Sequence, residues 1–225
     1  MKNNIFIYVL LIVNTMVAQK TITKNLGDFS ILKVYNGIEL ELISSDAQKI
    51  EIIGEKSEKV KIKNVNGTLK LSLKFPELSA NGKVLIKLFY NRPIAVIDAN
   101  EGATITGKML KQEKVTIKVQ EKAFINLVIK VKELKVKSIS GGIIKLTGTT
   151  NNQEVSANLY GVYHGFSLEA LGNSKVHAGT GAKVEVFTHK KLIAKVNFGG
   201  SIFYKGNPAV DKDKKIAGGV IQKRE

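Results

Sequence analysis

No cysteine occurs in the 225 residues, which excludes disulfide staples, thiolate nucleophiles and thiolate-rich metal sites. Tryptophan is absent too, and proline occurs only three times, so the backbone has few forced breaks in its hydrogen bonding. Acid is scarce: 19 Asp and Glu stand against 35 Lys and Arg, a formal net charge of +16. Arginine is scarce among those cations, and no DNA- or RNA-binding motif accompanies them, which argues against a nucleic-acid partner. The one long apolar run, Ile5 to Val13, is too short for a permanent membrane span.

What is present is a folded chain, with 44% hydrophobic residues and 20 glycines. Residues 1–18 have one lysine, Lys2, before that apolar run and end in small residues at Ala18. They read as a secretory signal peptide, so the mature protein is expected to be exported, without a transmembrane anchor, to the periplasm or the cell surface.

From Ile94 to Gly206 one unit recurs six times. Aligned on Ala103, Ala123, Gly142, Val162, Ala182 and Gly200, the steps are 20, 19, 20, 20 and 18 residues. Two positions on stand Ile105, Ile125, Ile144, His164, Val184 and Ile202, and six positions before stand Ile97, Ile117, Val136, Ser156, Val176 and Ala194. A fixed period near twenty with recurrent apolar columns is the mark of a solenoid. The apolar–polar alternation has the strand period of two. The chain is therefore expected to be all-β, a parallel β-helix of about six coils.

Residues 19–93 alternate in the same way but lack the period. Asn36-Gly37, Asn66-Gly67 and Asn81-Gly82 separate alternating runs, and Asn-Gly is a strong hairpin signal because both residues accept positive φ. This amino-terminal β segment is expected to be hairpin-rich, and residues 207–225, broken by Pro208 and a charged run, to form a carboxy-terminal cap.

The Tyr35–Leu40 string Tyr-Asn-Gly-Ile-Glu-Leu, Val65-Asn-Gly-Thr-Leu-Lys-Leu, the glycine turns at Ser140–Gly142 and Gly179–Ala182, and the close Phe198-Gly-Gly-Ser-Ile-Phe-Tyr-Lys-Gly-Asn-Pro together resemble the "putative auto-transporter adhesin, head GIN domain" family of exported bacterial proteins. The resemblance spans about residues 25–225. It implies a right-handed parallel β-helix, secretion, and a binding or adhesive role with no established catalytic residues. Gln120-Glu-Lys-Ala and Leu159-Tyr-Gly-Val depart from the family's glycine turns.

A β-helix is also a common scaffold for carbohydrate-active enzymes, the alternative reading, and those need clustered carboxylates for acid/base work or calcium. The coils contain one aspartate, Asp98, and a Glu101/Glu121 pair with lysines alongside. The three histidines, 164, 177 and 189, have no metal-ligand spacing within a coil. No catalytic residue, cofactor or metal is therefore assigned, and a non-enzymatic binding module is expected. His164 falls in an aliphatic column, so it is either a hydrogen-bonded core histidine or is turned outward by a bulge around residues 163–165. Two outward columns are candidate ligand surfaces. Lys118, Lys137 and Lys195 share one, suited to an anionic glycan or lipid headgroups. Phe124 and Tyr163 share the other, which is either a lateral binding face or is covered by the amino-terminal segment.

Overall fold

In the computed structural model, residues 21–212 and 217–225 are described; the expected leader at 1–18 and the charged residues 213–216 lie outside them. The chain is a β-solenoid of stacked parallel strands with no α-helix among the described residues. After β1 (Thr21–Asn25), β2 (Ile31–Val34) and β3 (Glu39–Ser44) come β4 (Lys49–Ile53), β5 (Val60–Val65), β6 (Thr68–Leu73) and β7 (Leu85–Tyr90). The repeats then form β8 (Val96–Ala99), β9 (Thr104–Val119), β10 (Phe124–Ser138), β11 (Ile143–Ala157), β12 (Val162–Ala170), β13 (Asn173–Ala178), β14 (Lys183–Thr188), β15 (Lys191–Val196) and β16 (Ser201–Lys205). β17 (Ala209–Lys212) and β18 (Val220–Lys223) follow, adding one parallel strand beside β15 and one beside β16.

Two ladders run the length of the stack. In the first, Ile97, Ile117, Val136, Val155, Val176 and Ala194 stand in register. In the second, Ile105, Ile125, Ile144, Tyr163, Val184 and Ile202 do so. Every one of these side chains is buried. Neighbouring parallel strands lie about 4.8 Å apart, so each residue packs on its equivalents one coil above and below.

The register corrects the expected alignment at the fourth coil. Ile144 pairs with Tyr163, not His164, so the buried anchor there is Gly161 and Val162 faces outward. Val155 likewise replaces Ser156 in the other inward column, with Ala157 buried two residues on. The cause is packing. Tyr163 fits an isoleucine column because Gly165, two residues on, leaves its place to the ring; a Cβ there would come 2.6 Å from Tyr163 Cε1.

The amino-terminal segment belongs to the same stack. β2 pairs in parallel with β6 and β8, and β3 with β7 and β9, so Leu32 sits between Leu69 and Ile97, and Leu40 between Ile86 and Ile105. β4, β5 and β1 then pair antiparallel at that end. Of the three Asn-Gly pairs, only Asn66-Gly67 makes a hairpin, between β5 and β6. Asn36-Gly37 and Asn81-Gly82 are corners within coils, where the flanking strands do not pair with each other.

Those corners form a continuous ridge where the first ladder turns into the second. The amide of each corner is hydrogen-bonded to the next one along the stack: Gly37 to the Glu101 carbonyl, Gly102 to Glu121, Lys122 to Ser140, Gly141 to Leu159, Tyr160 to Thr180 and Gly181 to Phe198. Positive φ recurs at the ridge, including Glu121 at 55°, Lys122 at 60°, Leu159 at 48° and Tyr160 at 61°. The two strings that depart from the family's glycine turns thus adopt the same corner with no glycine at either left-handed position.

Candidate functional site

The lysine column exists. Lys118 lies opposite Lys137, followed by Ser156, His177 and Lys195 along the outward face of the first ladder. Ser156 holds the fourth coil's place in this column, while Ala157 beside it points inward. Towards the amino end the column continues through Asp98 and Lys33 to Lys70. The adjacent outward column adds Lys135 and Lys175, with Glu154 between them and 3.3 Å from Lys135. The period-two alternation already carried Lys135 and Lys175, since each stands two positions from an outward member of the column; the sequence reading did not use it. Lys118, Lys135, Lys137, Glu154 and Ser156 line a shallow groove of about 270 Å³.

Charge along this face is uneven for physical reasons. Burial pushes the Asp98 carboxyl above its ordinary range, against the pull of Lys33 and Lys118 and a hydrogen bond from Asn100. Burial also lowers the His177 imidazole, and the Lys195 ammonium lowers it further. His177 is therefore neutral near pH 7, and the positive field of the face comes from lysine.

Phe124 and Tyr163 do not form a common surface. Phe124 is half-buried on the outward side of the second ladder, beside Ile143 and Val162. Tyr163 is 0% exposed and unavailable to any ligand. Nor does the amino-terminal segment cover Phe124, since it extends the stack lengthwise. The Tyr163 hydroxyl donates to Gln153 Oε1 at 3.2 Å, Gln153 Nε2 donates to Ser174 Oγ at 3.0 Å, and Ser174 lies 2.6 Å from Thr188 Oγ1. This buried polar chain is satisfied link by link, as burial requires. Tyr163→Phe is expected to cost about 1–2 kcal/mol by leaving the Gln153 carbonyl unpaired, measured as a fall in the denaturant midpoint.

His164 faces outward and contacts Glu185, Nδ1 to Oε2 at 2.8 Å, while Lys183 reaches the other carboxylate oxygen at 2.8 Å. Burial works to raise the Glu185 carboxyl, but the hydrogen bonds from Lys183 and His164 outweigh it and hold the group below its usual range. A carboxylate so held is a poor proton donor. Glu101 and Glu121 sit on neighbouring ridge corners, and Glu101 is engaged by Asn36 Nδ2 at 2.7 Å. Among the described residues no group of three or more His, Asp or Glu converges as a metal site. A surface hollow of about 730 Å³ lies over the bend between the ladders and is edged by Lys111, Lys114, Lys130 and Lys132.

No curated protein matches the chain. A putative adhesin from Bacteroides fragilis has a similar structure, with a TM-score of 0.81 at 18% identity over 92% of this chain and 97% of that one. A putative adhesin from Parabacteroides merdae gives a TM-score of 0.65 at 18% identity, over 92% and 96%. A putative lipid binding protein from Parabacteroides distasonis gives 0.71 at 16% identity, over 92% and 97%. At these identities the likeness shows the fold alone. The family profile described as "putative auto-transporter adhesin, head GIN domain" matches residues 28–208, and the chain belongs to that family.

Proposed function

We propose that the chain is a non-enzymatic adhesion module of the bacterial cell envelope that holds an anionic surface, an acidic glycan or anionic lipid headgroups, along the lysine face of its first ladder. Membership of an adhesin family supports the adhesive part. The observation that carries the rest is the placing of Lys118 directly opposite Lys137 on adjacent strands. Like charges directly opposite destabilise a sheet, and an anionic partner turns that repulsion into attraction. Each exposed lysine contributes little alone because it is solvated and screened; several on one rigid face act together.

The test is binding of the full chain to an acidic polysaccharide and to anionic vesicles as salt rises. Affinity for the true ligand is expected to fall steeply. Replacing Lys118, Lys137 and Lys195 together by glutamine is expected to lower it about tenfold or more while the fold stays intact. Binding indifferent to salt, or tighter for a neutral glycan, would refute the lysine face and favour Phe124 and its neighbours.

A further inference from the structure

The corner ridge changes character along its length. Near the amino end its left-handed positions hold Asn36-Gly37, Asn81-Gly82 and Glu101-Gly102, residue types that accept positive φ readily or stand beside a glycine that does. Towards the carboxy end Leu159 at φ 48° and Tyr160 at 61° fill both left-handed positions of one corner, and Phe198 at 46° stands beside Gly199. Bulky residues are strained there, and strain of this kind gathers at functional positions. Nor does burial explain them: Leu159 is 49% exposed, Tyr160 69% and Phe198 59%.

The three belong to one stripe. The Tyr160 ring lies over Gly181 on the next coil, where a Cβ would come 2.6 Å from its Cε1. The Gly181 amide is bonded in turn to the Phe198 carbonyl. Lysines stand on both sides of the stripe: Lys137, three positions before its coil's corner at Ser140 on the first ladder, and Lys183, two positions past Gly181 on the second and shared with Glu185. The nearby acids are engaged, Glu185 by Lys183 and His164 and Glu154 by Lys135. The other ridge acids, Glu101 and Glu121, lie on corners towards the amino end.

We infer that Leu159, Tyr160 and Phe198 form an insertion ridge for an anionic lipid bilayer. The apolar tips enter the boundary between headgroups and acyl chains while the flanking lysines meet the phosphates. Peripheral membrane binding strengthens with inserted apolar area and with attraction of basic residues to anionic lipid, and tyrosine settles at the headgroup level. The inference rests on the anionic-surface reading above and names the bilayer as that surface, with the ridge rather than the sheet face leading.

The absence of tryptophan makes the test direct, because Tyr160→Trp creates a single reporter in the full chain. Its emission is expected to shift to the blue on vesicles of phosphatidylglycerol and phosphatidylcholine, and to stay unmoved with polygalacturonate. The triple variant Leu159→Asn, Tyr160→Gly, Phe198→Asn relieves the left-handed strain, so its melting temperature should equal or exceed that of the parent. Its vesicle binding should nonetheless fall about tenfold. If that variant binds vesicles as the parent does and the emission at position 160 is unmoved, the ridge is wrong while the anionic-surface reading stands. If the parent binds neither vesicles nor polygalacturonate, both fall. Loss of polygalacturonate binding in the triple variant, without a vesicle effect, would make the ridge a glycan contact and overturn the bilayer.

Discussion

Gly148→Ala is expected to destabilise the protein by about 4 kcal/mol, the sum of a strained backbone and an overpacked contact. Gly148 has φ 109°, a conformation closed to side chains in practice. A Cβ there would drive into the Ile129 carbonyl oxygen of the preceding coil, which belongs to backbone and cannot swing aside. Ile129 and Gly148 are register partners where β10 and β11 bend between the ladders. The damage should spread to both coils, because each coil is stable only against its neighbours. Chemical denaturation checks this; a loss under about 1 kcal/mol would mean the bend relaxes freely.

Ile144→Ala is expected to cost about 2–4 kcal/mol, as a truncation in a packed core that leaves a cavity. Ile144 is fully buried between Ile125 and Tyr163. The gap cannot close by sliding a coil, since the strands on either side are pinned by backbone hydrogen bonds. A change below about 0.5 kcal/mol, the scale of surface substitutions, would show that this column is not core.

The lysine column was legible because alternation with period two sends Lys118, Lys137 and Lys195 to one side whatever the exact coil length. The aromatic column was not. A one-residue error in the fourth coil exchanges inside for outside: the sequence alignment places Tyr163 on the surface and His164 in an aliphatic column, where it is either core or turned outward by a bulge. Gly161 carried the signal that corrects this, being the small residue that stands where Gly142 stands one coil earlier. The apolar ridge was partly visible as the departure of Leu159-Tyr160 from the expected glycine turn, but the place of Phe198 on the same line depends on corner-to-corner hydrogen bonds.

The sequence by itself determined a β-solenoid from residue 94 onward, because neighbouring coils there are neighbours in the chain and their side chains must repeat to stack. It also determined the family, and the excess of lysine that gives the outer face its sign. Tertiary structure decided the amino-terminal third. Leu32 meets Ile97, 65 positions away, and the later strand pair β6–β7 stacks on the far side of β2–β3. No period records such a contact, since antiparallel strands intervene and the coil order departs from chain order. Whether an Asn-Gly pair became a hairpin or a corner was settled the same way. The turn supplies two left-handed residues in either case, and only the partners available to the flanking strands choose between them.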